Sequence, residues 1–340
     1  MNTEFHYWLT GLIAKESGFS EEDAKTIAYS SEYVDENDVN FVIKNRSDKK
    51  DTYSNYISQT MNILKPKNKL MKIYPVFHFI PGEPDAETAL RKDGKMHLLN
   101  TTPNSGNANE IMDQAFKAAQ DIRAYRIGIA SHTFVDTWAH QNFVGWYDYF
   151  NNIGLDIKPD IGHADAEHHP DYISHIWMDE RLTKPEIDNR ARYMSAAQTL
   201  FLKYCEYNKS ENGPDNSSMW NALEQKLSEL MGETYTGDKS KYKDERIEKY
   251  KETVPWLSEF DEKSWFDEAI DTKVRGLKDS HRGLLARFTF FKDEYFWKES
   301  SDKTDTNWYK FQEAVKEHQS FALKVLSKTF NKMGINIYTS

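Results

Sequence analysis

The segment Ser131-His132-Thr133-Phe134-Val135-Asp136-Thr137-Trp138-Ala139-His140 spaces two histidines and an aspartate four residues apart. On a helix, four residues advance only about 40° around the axis, so the three side chains share a stripe about 80° wide. Ile129, Val135 and Ala139 flank that stripe, which turns it toward the interior. Two imidazoles and a carboxylate buried without partners would cost roughly a few kcal/mol each. A divalent cation satisfies all three. A hydrogen-bonded histidine pair, with Asp136 fixing one ring, is the alternative.

A second cluster follows. Gly162-His163-Ala164-Asp165-Ala166-Glu167-His168-His169-Pro170-Asp171 gathers three histidines and three carboxylates. His163 and Glu167 stand four apart, one helical turn, and the flanking Gly and Pro keep that turn short. Mixed histidine and carboxylate donors suit zinc, manganese or iron. His163, Glu167 and His169 are taken as ligands, while Asp165, His168 and Asp171 are read as supporting or surface groups. The competing reading is a solvated acidic loop. Three isolated residues extend the set: His6 beside Phe5 and Leu9, Asp35 after a second helix, and His78 between Phe77 and Phe79, with His97 a weaker alternative to His78.

These groups need elements to position them, and the pattern is mostly helical. Phe5, Trp8, Leu9, Leu12 and Ile13 recur at helical spacing, and Gly18 ends that helix. Ser20 opens a second, with Asp23 as a capping-box variant and Ala24, Ile27 and Ala28 as its buried stripe. A polar stretch from Asn45 to Tyr53 reads as a loop. Residues 70–80 are the best extended candidate, although Pro75 argues against a central strand. A long helix is expected from Asn109 to about Gly145, a loop over 154–171, and a helix with Pro185 in its first turn that continues to Tyr207. Asn, Ser, Gly and Pro over 208–217 mark a linker. Helices are then expected over 218–232, 241–253, 262–276, 281–298 and 307–333. The fold class predicted is all-α, a multi-helix bundle with additional C-terminal helices. Residues 1–207 form the metal-binding part. Residues 218–340 form a helical region packed on it, whose aromatics (Trp256, Trp265, Phe266, Phe288, Phe290, Phe291, Tyr295, Phe296, Trp297) are core rather than a partner surface.

Composition narrows the function classes. The 340 residues carry a net charge of −10, which argues against gripping nucleic-acid polymers through their phosphates. A single cysteine excludes a disulfide framework and a Cys-based zinc finger. No apolar run is long enough for a membrane span, and Met1 to Ala14 shows no basic leader, so a cytoplasmic location is expected. Nine of the eleven histidines precede residue 176, so the chemistry belongs to the N-terminal two-thirds. There is no His-Asp dipeptide, His-Glu-x-x-His, P-loop, GxGxxG or G-x-S-x-G elbow.

The order His6, Asp35, His78, His132-x3-Asp136, His140, His163-x3-Glu167 resembles the zinc-dependent phospholipase C and single-strand-specific nuclease superfamily over about residues 5–170. That resemblance implies an all-helical fold and two or three divalent ions, zinc first. It also implies hydrolysis of a phosphoester, most simply a phosphodiester, by activated water. Asp136 would bridge ions, and Asp35 would be a ligand or hold the nucleophile's proton. Two departures stand out. His140 follows Asp136 more closely than in that superfamily, and no N-terminal tryptophan amine is present as a ligand, which favours two ions over three. The expected substrate is a small phosphate ester such as a nucleotide or a phospholipid headgroup. The rival is a non-catalytic helical binding protein with one closed structural metal site.

Overall fold

The computed structural model describes residues 1–60, 67–154, 158–238, 242–274, 293–299 and 302–338. A π-helical turn, Glu4–Leu9, runs directly into helix α1 (Thr10–Ser17), which stops at Gly18 with a left-handed φ of 113°. Ser20 caps α2 (Glu21–Glu36): its hydroxyl accepts from the Asp23 backbone and donates to the Asp23 carboxylate. Strands β1 (Val42–Lys44) and β2 (Thr52–Ser54) follow, then two short helices, α3 (Lys67–Leu70) and α4 (Tyr74–Phe77). Next come α5 (Gly106–Ala115) and α6 (Arg123–Ala139). Four short strands succeed them: β3 (Tyr147–Asp148), β4 (Asp160–Ile161), β5 (Ile176–Met178) and β6 (Glu186–Asp188). The C-terminal part holds α7 (Asn189–Ser210), α8 (Trp220–Met231), α9 (Lys243–Thr253), α10 (Ser264–Ala269), β7 (Ile270–Lys273), β8 (Glu294–Trp297) and α11 (Asn307–Lys332).

The all-α expectation does not hold. A four-stranded sheet of order β2-β1-β8-β7 joins residues from both ends of the chain, and two further two-stranded sheets pair β3 with β4 and β5 with β6. β1 and β8 run parallel and the other pairs antiparallel, so the chain is mixed α/β with helix predominant. The physical reason is length. Strands of two to four residues are too short to show a two-residue alternation. Residues 294–297 therefore read as the tail of a helix, and 270–273 as the end of another. The first twelve residues of the expected 281–298 helix, with Phe288, Phe290 and Phe291, lie outside the described residues. Trp265, Phe296 and Trp297 are buried, while Trp256, Phe266 and Tyr295 pack against the core.

Other boundaries shift for identifiable reasons. The helix expected from Asn109 to Gly145 is two helices, α5 and α6, separated by turns. Residues 74–77 are helical rather than extended, because Pro75 falls in the first turn, where its missing N–H costs nothing. Pro185 precedes β6, and Asp188 caps α7 by accepting from the Ala191 N–H.

The main hydrophobic core draws on residues from Met1 to Ile337, and a smaller cluster gathers Phe79, Phe143, Ala166, Trp177, Leu182 and Ile187. α6 runs through the main core and is buried on every side from Tyr125 to Ala139. A helix with no wet face must find partners for every polar side chain it carries. α2 crosses α6 at Gly128, where an added Cβ would meet the Ile27 carbonyl oxygen and the Ser30 Cβ, each at 2.5 Å. This contact brings the end of α2 over the middle of α6. Among the described residues, no helix is long and apolar enough to cross a membrane.

Candidate metal centre

The stripe on α6 meets its partners inside the core. His132 and Asp136 lie on the helix, and His140 is the residue at its C-terminal end. α2 supplies Asp35 from its last turn, α4 ends at His78, and the N-terminal turn supplies His6. Three sets of potential donors result, each with its ligand atoms within 4.8 Å of one another: His6, Asp35 and His132; His78, His132 and Asp136; His140, His163 and Asp171.

Asp136 is the hub. Its Oδ1 lies 3.1 Å from His6 Nε2 and 2.5 Å from the α-amino nitrogen of Met1. Its Oδ2 lies 3.2 Å from His132 Nε2, 3.4 Å from His78 Nδ1 and 3.5 Å from His140 Nδ1. Despite this crowd, among the described residues Oδ2 finds no hydrogen-bond partner, and neither ring nitrogen of His6 finds one. The Met1 nitrogen also reaches Asp171 Oδ1 at 3.4 Å and so links the hub to the third set. There His140 Nε2 lies 3.1 Å from Asp171 Oδ1, and His163 Nε2 lies 3.6 Å from Oδ2. Asp35 Oδ1 stands 3.7 Å from His78 Nδ1 and 3.8 Å from His132 Nε2. Its side chain keeps 29% exposure, the most open of the three carboxylates.

The outer ring nitrogens decide what the inner ones carry. His132 Nδ1 lies 2.8 Å from the Ser31 carbonyl, His78 Nε2 2.9 Å from that of Ser58, His140 Nδ1 2.8 Å from that of His78, and His163 Nδ1 2.6 Å from that of Glu167. A carbonyl only accepts, so each outer nitrogen carries the hydrogen. In a neutral ring the other nitrogen then presents a lone pair to the cluster. His132 Nε2 and His78 Nδ1, assigned lone pairs by this rule, face each other at 3.1 Å. A contact that short needs a proton on one of the two rings or a cation shared by both. This is the arrangement that orients metal-binding imidazoles elsewhere, and the donor set fits a divalent ion.

Electrostatics follow from burial and crowding. Burial, assisted by His132 and the Met1 amine, pushes His6 down to about 3. Burial also lowers His163, to about 4, against the pull of Asp171. For Asp136, burial raises the carboxyl but is overcome by His140, the Met1 amine, His132 and His6, which hold it well below its usual value. Asp171 is likewise held low against burial, by His163, the amine and its bonds to His140 and His168. The Met1 amine is pushed up to about 10: burial lowers it, but Asp136, Asp171 and Asp35 win. His78 is raised, because burial is outweighed by Asp136, Asp35 and the Ser58 carbonyl.

A sign follows for the metal-free chain. His6 and His163 bind protons only when unfolded between about pH 6.5 and their folded values near 3 and 4, so stability falls as pH drops through that window. Asp136 and Asp171 add a further loss below about pH 4, while His78, which is raised, and Glu32, pushed up to about 8 by burial and Asp35, oppose these losses as pH falls. The Met1 amine contributes fully below pH 8 and loses its contribution as pH rises through about 10. In a proton NMR titration of the chelated protein, the His6 and His163 rings are therefore expected to stay largely uncharged at about pH 5, where a free imidazole is protonated. A ring of either residue that titrates near about pH 6.5 would contradict its uncharged state in the fold.

The expected residues are distributed as follows. His6, Asp35, His78, His132, Asp136, His140 and His163 come together. Glu167 does not join them. It has a left-handed φ of 49°, its side chain is exposed, and only its backbone carbonyl faces His163. The 163–167 segment is a series of turns rather than a helical turn, so four-residue spacing does not align the two side chains. Asp171, read from sequence as a supporting or surface group, sits in the cluster instead. His169 lies outside the three sets: its Nδ1 is 2.8 Å from His175 Nε2, and its ring stacks on Trp177 at 5.9 Å. His97 pairs with Asp148 at 3.3 Å. The Met1 amine was not anticipated, because burial of a chain-end nitrogen leaves no mark in residue type or spacing.

A family model described as a family of unknown function (DUF6765) matches residues 1–326. No curated protein and no solved structure matches the chain.

Proposed function

The chain belongs to a family of unknown function (DUF6765), so its activity has to be argued from its chemistry, and we propose that it is a metal-dependent hydrolase of phosphate esters, phosphodiesters first. One observation carries the reading: four imidazoles, three buried and His163 half-buried, each fixed by a backbone carbonyl on its outer nitrogen, aim their inner nitrogens at two carboxylates that also approach a buried amine. The three donor sets, two of which share His132, support two ions, and a third would need a further donor such as the Met1 nitrogen, once deprotonated, beside His6. The order of donors along the chain supports the resemblance to the zinc-dependent phospholipase C and nuclease superfamily as regards chemistry.

Divalent ions, when bound, supply a nucleophilic water near neutral pH and positive charge for phosphoryl oxygens. The remaining roles fall to the chain. Asp136 presents one oxygen to His6 and the amine and the other to His132, His78 and His140, so it can serve two ions at once. Asp35, the most exposed carboxylate of the set, is the one best placed to exchange protons with solvent and can take a proton from the nucleophile or ligate. The net charge of −10 disfavours long polyanions and supports a small ester as substrate. A structural metal site would be closed; the exposure of Asp35 favours an open one.

The test is elemental analysis of the purified chain together with hydrolysis of a chromogenic phosphodiester, before and after chelation and reloading with zinc or manganese. Two or three ions per chain and a diesterase activity lost and regained with them are expected. A chain that takes up no ion on reloading would end the metal reading. One that holds ions tightly yet cleaves neither diester nor monoester would make the centre structural.

A further inference from the structure

α9 is a charged helix that buries only two side chains, Arg246 and Tyr250, four residues apart and so on one face. Both reach the same target. Arg246 Nε lies 2.6 Å from Glu4 Oε1 and Nη2 lies 3.0 Å from Oε2, a two-pronged ion pair, and the Tyr250 hydroxyl donates to Oε1 at 2.9 Å. Glu4, Arg246 and Tyr250 are each no more than 2% exposed. Glu4 opens the N-terminal turn that carries His6. Two residues apart on a helical turn, the two side chains project to nearly opposite sides: Glu4 toward α9, His6 toward Asp136. The same turn is tied to α2 by the Thr3 hydroxyl, which donates to Glu32 at 2.6 Å.

We propose that Arg246 and Tyr250 are positioning residues for the metal centre. By clamping Glu4 they fix the register and tilt of the N-terminal turn, and so aim His6 and the Met1 amine at Asp136. This rests on the metal reading above for its functional meaning, although the clamp on His6 stands by itself. A planar guanidinium holding both carboxylate oxygens restrains rotation as well as position, which a point charge does not. The C-terminal half thereby takes part in building a site whose other donors all lie before residue 172.

The experiment uses the full chain and three variants: the double variant Glu4→Gln/Arg246→Met, which removes both buried charges together, Tyr250→Phe, and Arg246→Lys. In the cobalt-substituted protein, the double variant is expected to bind the ion beside His6 about 10–100-fold more weakly. Its share of the visible absorption should be lost while the remaining ions and a single cooperative thermal transition persist. Tyr250→Phe should weaken the same ion to a smaller extent, and Arg246→Lys should recover part of what the double variant loses. A wild-type metal number and cobalt spectrum in the double variant would overturn the proposal. A second readout needs no metal. In the chelated protein the His6 ring stacks on His132 with centroids 3.8 Å apart, and its proton resonances should carry a ring-current shift that the double variant loses. An unchanged shift there would also overturn the clamp. A wild-type chain that binds no ion, yet shows the shift and its loss, would sink the metal reading alone.

Discussion

Replacing Asp136 with asparagine is expected to strip the chain of its ions and to lower phosphodiester hydrolysis by at least about 10³-fold. The substitution keeps the shape of the side chain but removes its charge and turns one oxygen into a donor. Oδ1 serves His6 and the Met1 amine, and Oδ2 faces His132, His78 and His140, so an amide in either orientation fails one side of the cluster. The amine, held at about 10 in large part by this carboxylate, would then sit in the core with Asp171 as its remaining near partner. Breaking a buried pair in this way costs about 3–5 kcal/mol, so the melting temperature of the chelated variant should fall as well. Metal analysis after chelation and reloading, alongside kcat/KM, checks the outcome. Equal metal in variant and wild type would remove Asp136 from its central role.

The second large effect separates two neighbouring carboxylates. Asp171→Asn is expected to lose one ion per chain and about 10²-fold in activity, whereas Glu167→Gln should stay within about twofold of wild type. Asp171 gives one oxygen to His140 at 3.1 Å and the other to His163 at 3.6 Å, and it is held far below its usual value by that company. Glu167 contributes a backbone carbonyl, which the substitution leaves intact. Metal counting on the two variants suffices, and the reverse pattern would restore the four-residue pairing suggested by the sequence.

Those two residues mark where sequence spacing stops being informative. His132, Asp136 and His140 were legible because α6 is a regular helix and four residues return to the same face. His6, Asp35 and His78 were legible only as an ordered series, since three different elements bring them together. In the 160s the backbone is a string of turns with Glu167 left-handed, and no fixed period connects spacing to direction there. The strands failed to register for a related reason: an alternation needs more residues than β1, β2, β7 and β8 possess. α9 was legible as a helix, but its charged composition gave no sign that Arg246 points inward, because the carboxylate that makes that burial tolerable, Glu4, is distant in sequence.

The four carbonyls that fix the histidine rings belong to Ser31, Ser58, His78 and Glu167, which lie in separate stretches of the chain. Three of these hydrogen bonds join separate stretches, α2 to α6, the segment at Ser58 to His78, and His78 to His140, whereas the His163–Glu167 bond closes within its own turns. The rings are thus aimed by the fold itself, so under the proposed reading a divalent ion would enter a cradle that the folded chain has already shaped, would stabilise that fold by its affinity, and would be selected by availability as much as by affinity.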